Sequence, residues 1–177
     1  MANAIRTGVT VLDFRHVAHH SLPSIDLESN IFNAKLSKLM ARIESSIQVD
    51  TSIDKIWEII SDLDNEPKFW KGTKSIENIS REGDKITREI TIAFRDQKCL
   101  QEVILYPKKR IEAEFIKGII NGTKTINISP NGEGIEIEVI WDIRLSGMMS
   151  MFTGMIKTHI KNGTEQALTN IKDEAER

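Results

Sequence analysis

MMSMFTGMIKTHIKNGTEQALTNIKDEAE, Met148–Glu176, is the one long run of this chain with sustained helical periodicity. Met148, Met151 or Phe152, Met155 or Ile156, His159 or Ile160, Ala167 or Leu168 and Ile171 recur at steps of three and four. That spacing gathers them into one apolar stripe along a helix. Everything upstream from Gly72 to Leu145 reads as β-strand. A helix with one apolar stripe needs a sheet to lie on, and a sheet with one apolar face needs cover. The chain therefore predicts an α+β domain in which the last helix closes the sheet.

Six candidate strands run approximately Thr73–Arg81, Lys85–Phe94, Lys98–Tyr106, Arg110–Ile119, Thr123–Ser129 and Gly134–Leu145. Short turn signals separate them: Glu82-Gly83-Asp84, Arg95-Asp96, Pro107-Lys108-Lys109, Asn121-Gly122 and Asn131-Gly132. Separators this short make hairpins, so the segment predicts an antiparallel meander. With each Asn-Gly pair as a two-residue loop, Phe115 faces Ile128 and Ile128 faces Ile135. Both pairings put Ile111, Ala113, Phe115, Ile126, Ile128, Ile135, Ile137, Val139 and Trp141 on one face. Glu112, Glu114, Glu136, Glu138 and Asp142 fall on the other. A slip of one residue would scramble this partition. The Pro107 loop leaves open whether Val103 and Leu105, or Leu100, Glu102 and Ile104, face inward.

Ahead of the meander, Ala41–Val49 alternates, with Ile43, Ser45, Ile47 and Val49 on one face, as in a half-buried strand. Asp50-Thr51-Ser52 offers caps for a helix that carries Ile53, Ile56, Trp57, Ile60 and Leu63 at helical spacing. Pro67 then permits only a short second helix, ending in Phe69-Trp70 before Gly72. Residues 1–39 lack any sustained period and read as a flexible or mis-called extension, which leaves 40–177 as the domain.

Of 177 residues, 40% are hydrophobic and 28% charged, which suits one soluble globular domain. A net charge of −2 makes no electrostatic case for nucleic acid or an anionic membrane. No apolar run approaches the ~20 residues of a membrane helix. Arg6, Asp13 and Arg15 interrupt any secretory h-region, and the single cysteine, Cys99, fits a reducing compartment. The expected location is cytoplasmic, and the sequons at Asn78, Asn121, Asn127 and Asn162 then read as chance matches.

Strand, two helices, six antiparallel strands and a long last helix is the order of the helix-grip fold. From Ala41 the chain resembles the START, pollen-allergen and polyketide-cyclase superfamily. The residues that carry the resemblance are the opening ARIESSIQVDTSIDKIWEIISDLDNEPKFW and the closing TEQALTNIKDEAER. The resemblance implies a curved sheet of about seven strands wrapped around the last helix, with a cavity between them. It implies several uses of that cavity: lipid carriage, polyketide cyclisation, ring hydroxylation with iron, or partner recruitment. It does not choose among them.

Candidate ligand-contacting residues are Trp70, Arg88, Ile90, Phe94, Phe115, Trp141, Met148, Met151, Phe152, Met155 and His159. Arg88 lies in the row Ile86, Arg88, Ile90, Ile92, Phe94. If that row faces in, its guanidinium can meet a ligand carboxylate or phenolate, or an internal partner such as Glu102. Lys117 shares the inner face near its strand end and is expected to reach out to water. The methionines suit either gap-filling in a core or a surface that repacks around varied apolar ligands. The stretch Met148–Ile160 is expected to line and gate the cavity and Thr164–Glu176 to anchor the helix. The intervening Asn162-Gly163 marks a weak point or kink, because Gly costs ~1 kcal/mol inside a helix.

His16, His19 and His20 lack a convincing helix to hold a metal, and no two-His-one-carboxylate set, phosphate loop, Ser-His-Asp arrangement or CxxC is present. No catalytic residue, metal or cofactor is assigned. The expected partner is a hydrophobic small molecule, bound without catalysis and without nucleic acid or an integral membrane segment. The rivals are a cyclase or aromatase using Arg88, Glu102 or His159, and a protein-recruitment module on the same fold. Oligomeric state is left open.

Overall fold

A computed structural model describes residues 40–145 and 153–177. The extension 1–39 and the candidates Met148, Met151 and Phe152 lie outside the described residues.

Strand β1 (Met40–Val49) leads into helix α1 (Ile53–Ser61), a single 3-10 turn (Leu63–Asn65) and the four-residue α2 (Glu66–Phe69). Strands β2 (Thr73–Glu82), β3 (Lys85–Ile92), β4 (Lys98–Tyr106), β5 (Arg110–Lys117), β6 (Ile120–Asn131) and β7 (Gly134–Leu145) follow, and α3 (Thr153–Ala175) completes the chain. The sheet order is β1-β7-β6-β5-β4-β3-β2, antiparallel throughout. This is the curved, seven-stranded helix-grip architecture expected from the sequence.

Local chemistry accounts for the helical segment. The Ser52 Oγ accepts the Lys55 backbone N–H at 3.3 Å and caps α1, whose Ile56 and Ile60 turn into the core. Pro67, which has no N–H to donate, sits in the first turn of α2, where none is needed. Strict alternation then buries one face of the sheet: Ile86, Arg88, Ile90 and Ile92 on β3, and Cys99, Gln101, Val103 and Leu105 on β4. The open question at Pro107 is thereby answered, with Val103 and Leu105 inside. Lys117 is exposed, as expected.

The hairpin registers differ from expectation. Asn121-Gly122 is not a turn: β6 begins at Ile120, and the turn is Gly118-Ile119. Phe115 consequently faces Gly122 rather than Ile128. Gly122 has φ +115°, and a Cβ there would come within 2.1 Å of the Asp142 carbonyl oxygen, so its glycine serves close strand approach. The next turn is Gly132-Glu133, with Ile128 facing Ile137 instead of Ile135. Both displacements are by an even number of residues, six and two. An even slip leaves every side chain on its original face, so the expected inner face stands.

Two apolar clusters fill that face. The larger one joins Ile111, Ala113, Ile126, Ile128, Ile137 and Val139 to α1, α2 and Ala167, Leu168, Ile171 and Ala175 of α3. The smaller gathers Ala41, Ile90, Ile92, Cys99, Phe115, Ile120 and Ile143, with Ile156 and Ile160 of α3 packed on it. Trp141 touches both. α3 is hydrogen-bonded without interruption through Asn162-Gly163.

Candidate functional site

At the seam between the two clusters three charged side chains are buried together. Glu66, the first residue of α2, is turned toward the sheet by the 3-10 turn before it and is 9% exposed. Arg88 occupies the centre of β3 and is 1% exposed, and Lys124 on β6 is 4% exposed. Arg88 Nη2 donates to Glu66 Oε2 at 2.5 Å, and Lys124 Nζ donates to Glu66 Oε1 at 2.6 Å. Both carboxylate oxygens are thus held, each by a different cation. Arg88 Nε donates to Gln101 Oε1 at 3.0 Å. Arg88 Nη1 is buried with no hydrogen-bond partner among the described residues.

Aromatic rings complete the arrangement. Lys124 Nζ lies 3.9 Å from the Trp70 ring centroid and 5.5 Å from that of Trp141, within reach of cation–π attraction. Trp70 and Trp141 meet edge to face at 6.2 Å, and Phe115 lies 6.0 Å from Trp141. The sheet register makes room for the lysine on one side, where its neighbour across β5 is the small Ala113, and sets it beside Trp141 across β7. Trp141 Nε1 donates to Thr164 Oγ1 at 2.9 Å, while Thr164 Oγ1 donates to the Ile160 carbonyl at 2.8 Å. The cluster therefore ties α2, the sheet and α3 together.

Charge is unequally shared in this cluster. Burial alone would raise the Glu66 pKa, but Lys124 and then Arg88 overcome it and hold the carboxyl at about 2. Burial lowers the pKa of Lys124; Glu66 opposes that shift and Arg88 adds to it. Glu66 faces two cations, whereas Lys124 faces one anion and one cation. The carboxylate is held ionised and the ammonium is not favoured to the same degree.

Beside the trio is a small pocket of about 20 Å³, lined by Glu66, Arg88, Lys124, Trp70, Ile111 and Ile126 among others. That is room for about one water molecule, not for a lipid-sized ligand.

Of the sequence candidates, the structure brings Trp70, Arg88, Phe115 and Trp141 together around Lys124, with Ile90 two residues along β3 in the smaller cluster. Phe94 lies beyond the end of β3 in a turn and is 43% exposed, because the strand stops at Ile92 and the chain reverses at Arg95-Asp96. Met155 is 67% exposed, and His159 is exposed too, since Ile156 and Ile160 take the sheet-facing positions of the stripe. Glu102 lies on the outer face and pairs with Lys85 at 3.0 Å, so the internal partner of Arg88 is Glu66 instead. Cys99 is buried, and burial pushes its thiol pKa up. Among the described residues no group of His, Cys, Asp and Glu could hold a metal ion, and no helix is long and apolar enough to cross a membrane.

Glu66, Gln101, Lys124 and Thr164 were missing from the sequence candidates. Lys124 was legible: it stands two residues before Ile126 on the inner face. Gln101 follows from Val103 and Leu105 once that strand is oriented. Glu66 opens a four-residue helix too short to show a period, and only the presence of two buried cations demands it.

No curated protein matches the chain. Solved structures do. One is the di-domain ARO/CYC StfQ from the steffimycin biosynthetic pathway, with TM-score 0.70 at 12% identity over 84% of this chain and 55% of that one. Another is the Zhui aromatase/cyclase from a Streptomyces species, with TM-score 0.65 at 14% identity over 78% and 94%. A START superfamily protein from Mycobacterium smegmatis gives TM-score 0.54 at 17% identity over 73% and 98%. At such identities the likeness is one of fold. The model of the family described as polyketide cyclase / dehydrase and lipid transport matches residues 40–176, and the chain belongs to that family.

Proposed function

We propose that this protein binds an apolar or amphipathic small molecule, lipid-like or polyketide-like, between the curved sheet and α3. The observation that carries the reading is the uneven closure of the inner face. Ala167, Leu168, Ile171 and Ala175 are fully sunk into the larger cluster. Over the smaller cluster, Ile156 and Ile160 are only half-buried, and Gly154, Met155, Lys157, Thr158 and His159 are exposed. Lifting this end of the helix uncovers apolar strand surface while costing little buried area. A ligand larger than the present space enters by that displacement, and the family's description is in keeping with such cargo.

The test is native mass spectrometry of the purified protein, followed by titration with a hydrophobic dye and fatty acids. One saturable site is expected. Absence of both a co-purifying mass and saturable uptake would overturn the reading.

A second reading, a cyclase-type enzyme, is favoured by one observation: charged groups with displaced pKa values buried in an apolar face. It retains Arg88, with Lys124 beside it. The solvent-facing Glu102 and His159 do not serve it. Loss of turnover of a candidate polyketide in Arg88→Ala, with binding retained, would select this reading.

A further inference from the structure

We propose that Arg88 and Lys124 form a receptor for one oxyanion, a carboxylate or phosphate oxygen placed against Arg88 Nη1. Where that oxyanion is the head of an amphiphile, the inference rests on the binding reading above and specifies its ligand as acidic.

Three observations converge. The first is charge: two buried cations share one buried carboxylate. Asp62 also lines the space, but it is exposed and already accepts from Asn65 Nδ2 at 2.7 Å. With Lys124 protonated the trio is one negative charge short of neutrality, in surroundings where an uncompensated charge is costly. The second is the unused donor. Nε and Nη2 of Arg88 are engaged, whereas Nη1 has no partner among the described residues, in a side chain 1% exposed. A buried N–H without an acceptor is rare enough to need a reason. The third is space: the cavity of about 20 Å³ is lined by both cations and is the size of one oxygen-centred group.

Glu66 does not compete for the role, since each of its oxygens is already bound. The groups that face Lys124 are Glu66 from α2, Arg88 from β3 and the Trp70 and Trp141 rings. A second anion among them would favour the protonated ammonium, so binding should take up protons wherever Lys124 is partly neutral. The indole walls select for the same arrangement, because they hold the ammonium without neutralising it.

The experiment titrates the full chain with octanoate, octyl phosphate, octanol and acetate, by calorimetry in two buffers of different ionisation enthalpy and by thermal shift. We expect octanoate to bind about tenfold or more tighter than octanol, with the preference lost in Lys124→Gln. A preference for octyl phosphate over octanoate would assign the site to a phosphate head group, and protection by acetate as strong as by octanoate would assign it to a free small anion; both support an oxyanion receptor. Equal binding of octanoate and octanol by the unaltered chain overturns this inference and leaves the binding reading intact. Failure of all four probes overturns both. If Lys124→Gln does not fold, the octanoate-to-octanol ratio of the unaltered chain still decides.

Discussion

The two ends of the inner face are built from the same residue types, yet they are closed in different ways. At one end, α1, α2 and the second half of α3 seal the larger cluster, and polar contacts lock them down. Lys68 of α2 pairs with Glu174 at 2.9 Å, Asn170 Nδ2 donates to the Phe69 carbonyl at 3.3 Å, and Lys172 Nζ donates to the Gln48 carbonyl at 2.7 Å. The backbone N–H of Asp50 donates to Glu176 Oε1 at 2.9 Å. At the other end, side chains between Gly154 and Gly163 make polar contacts only within the helix, among the described residues. The charged trio lies at the boundary, with the Trp141–Thr164 hydrogen bond above it. Apolar burial holds either end to the sheet, and directional contacts to the rest of the fold are made at the sealed end.

The boundary is where substitution should have its largest effect. Glu66→Gln keeps the side-chain size and removes the charge that compensates Arg88 and Lys124. Breaking a buried ionic cluster from one side costs about 3–5 kcal/mol, because the remaining charges are left uncompensated. Denaturant unfolding should record that loss. A change below ~1 kcal/mol would mean that the trio is not a structural unit.

Leu168→Ala probes the sealed end. Leu168 is 1% exposed within the larger cluster, so truncation removes about 2–5 kcal/mol by leaving a cavity under α3. The midpoint of denaturant unfolding should fall while the transition stays cooperative, because this half of the helix belongs to the global core.

Acid is the third probe. The Glu66 carboxyl lies at about 2 in the folded chain, below its ordinary value of 4.5. A depressed carboxylate contributes stability that is fully present above the ordinary value and is lost as pH falls toward the folded one. The contribution is on the order of 3 kcal/mol. Stability should decline from about pH 4.5 to about 2, and Glu66→Gln should lack that component of the decline. Lys124 acts with the opposite timing. Its lowered pKa means that the folded chain gives up the proton more readily than the unfolded one. Its penalty is therefore fully present below the folded pKa and is relieved as pH rises from there toward the ordinary lysine range.

Much of this organisation was legible in the sequence, for a reason that also explains the errors. A two-residue period assigns faces, and faces are unchanged by any even slip, so the inner row from Ile111 to Trp141 was correct although both Asn-Gly turns were misplaced. The period does not fix which glycine turns the chain. Gly118 and Gly122 both have positive φ, and only the packing of Gly118 on Cys99 and of Gly122 on Asp142 distinguishes turn from strand. In α3 a stripe written as pairs of neighbours could not say which member faces in; the sheet takes Ile156 and Ile160 and leaves Met155 and His159 to water. Arg88 was found by alternation, and Lys124 could have been. Glu66 comes from a helix of four residues, too short for any period to reveal it.

The smallest expected effect is the sharpest test of the two-ended helix. Ile156 is half-buried on the smaller cluster and carries no polar tie to the sheet. Ile156→Ala should cost under about 1 kcal/mol in global stability, since partial exposure lets water fill the space that truncation opens. Its local consequence should be larger in relative terms. If this end of α3 opens independently, amide exchange between Lys157 and Lys161 should be accelerated by the substitution, while exchange around Leu168 and Ile171 stays at the global rate. Equal acceleration at both ends would mean that α3 opens as one unit. The uneven closure would then have no dynamic counterpart, and a ligand would have to displace the sealed end as well.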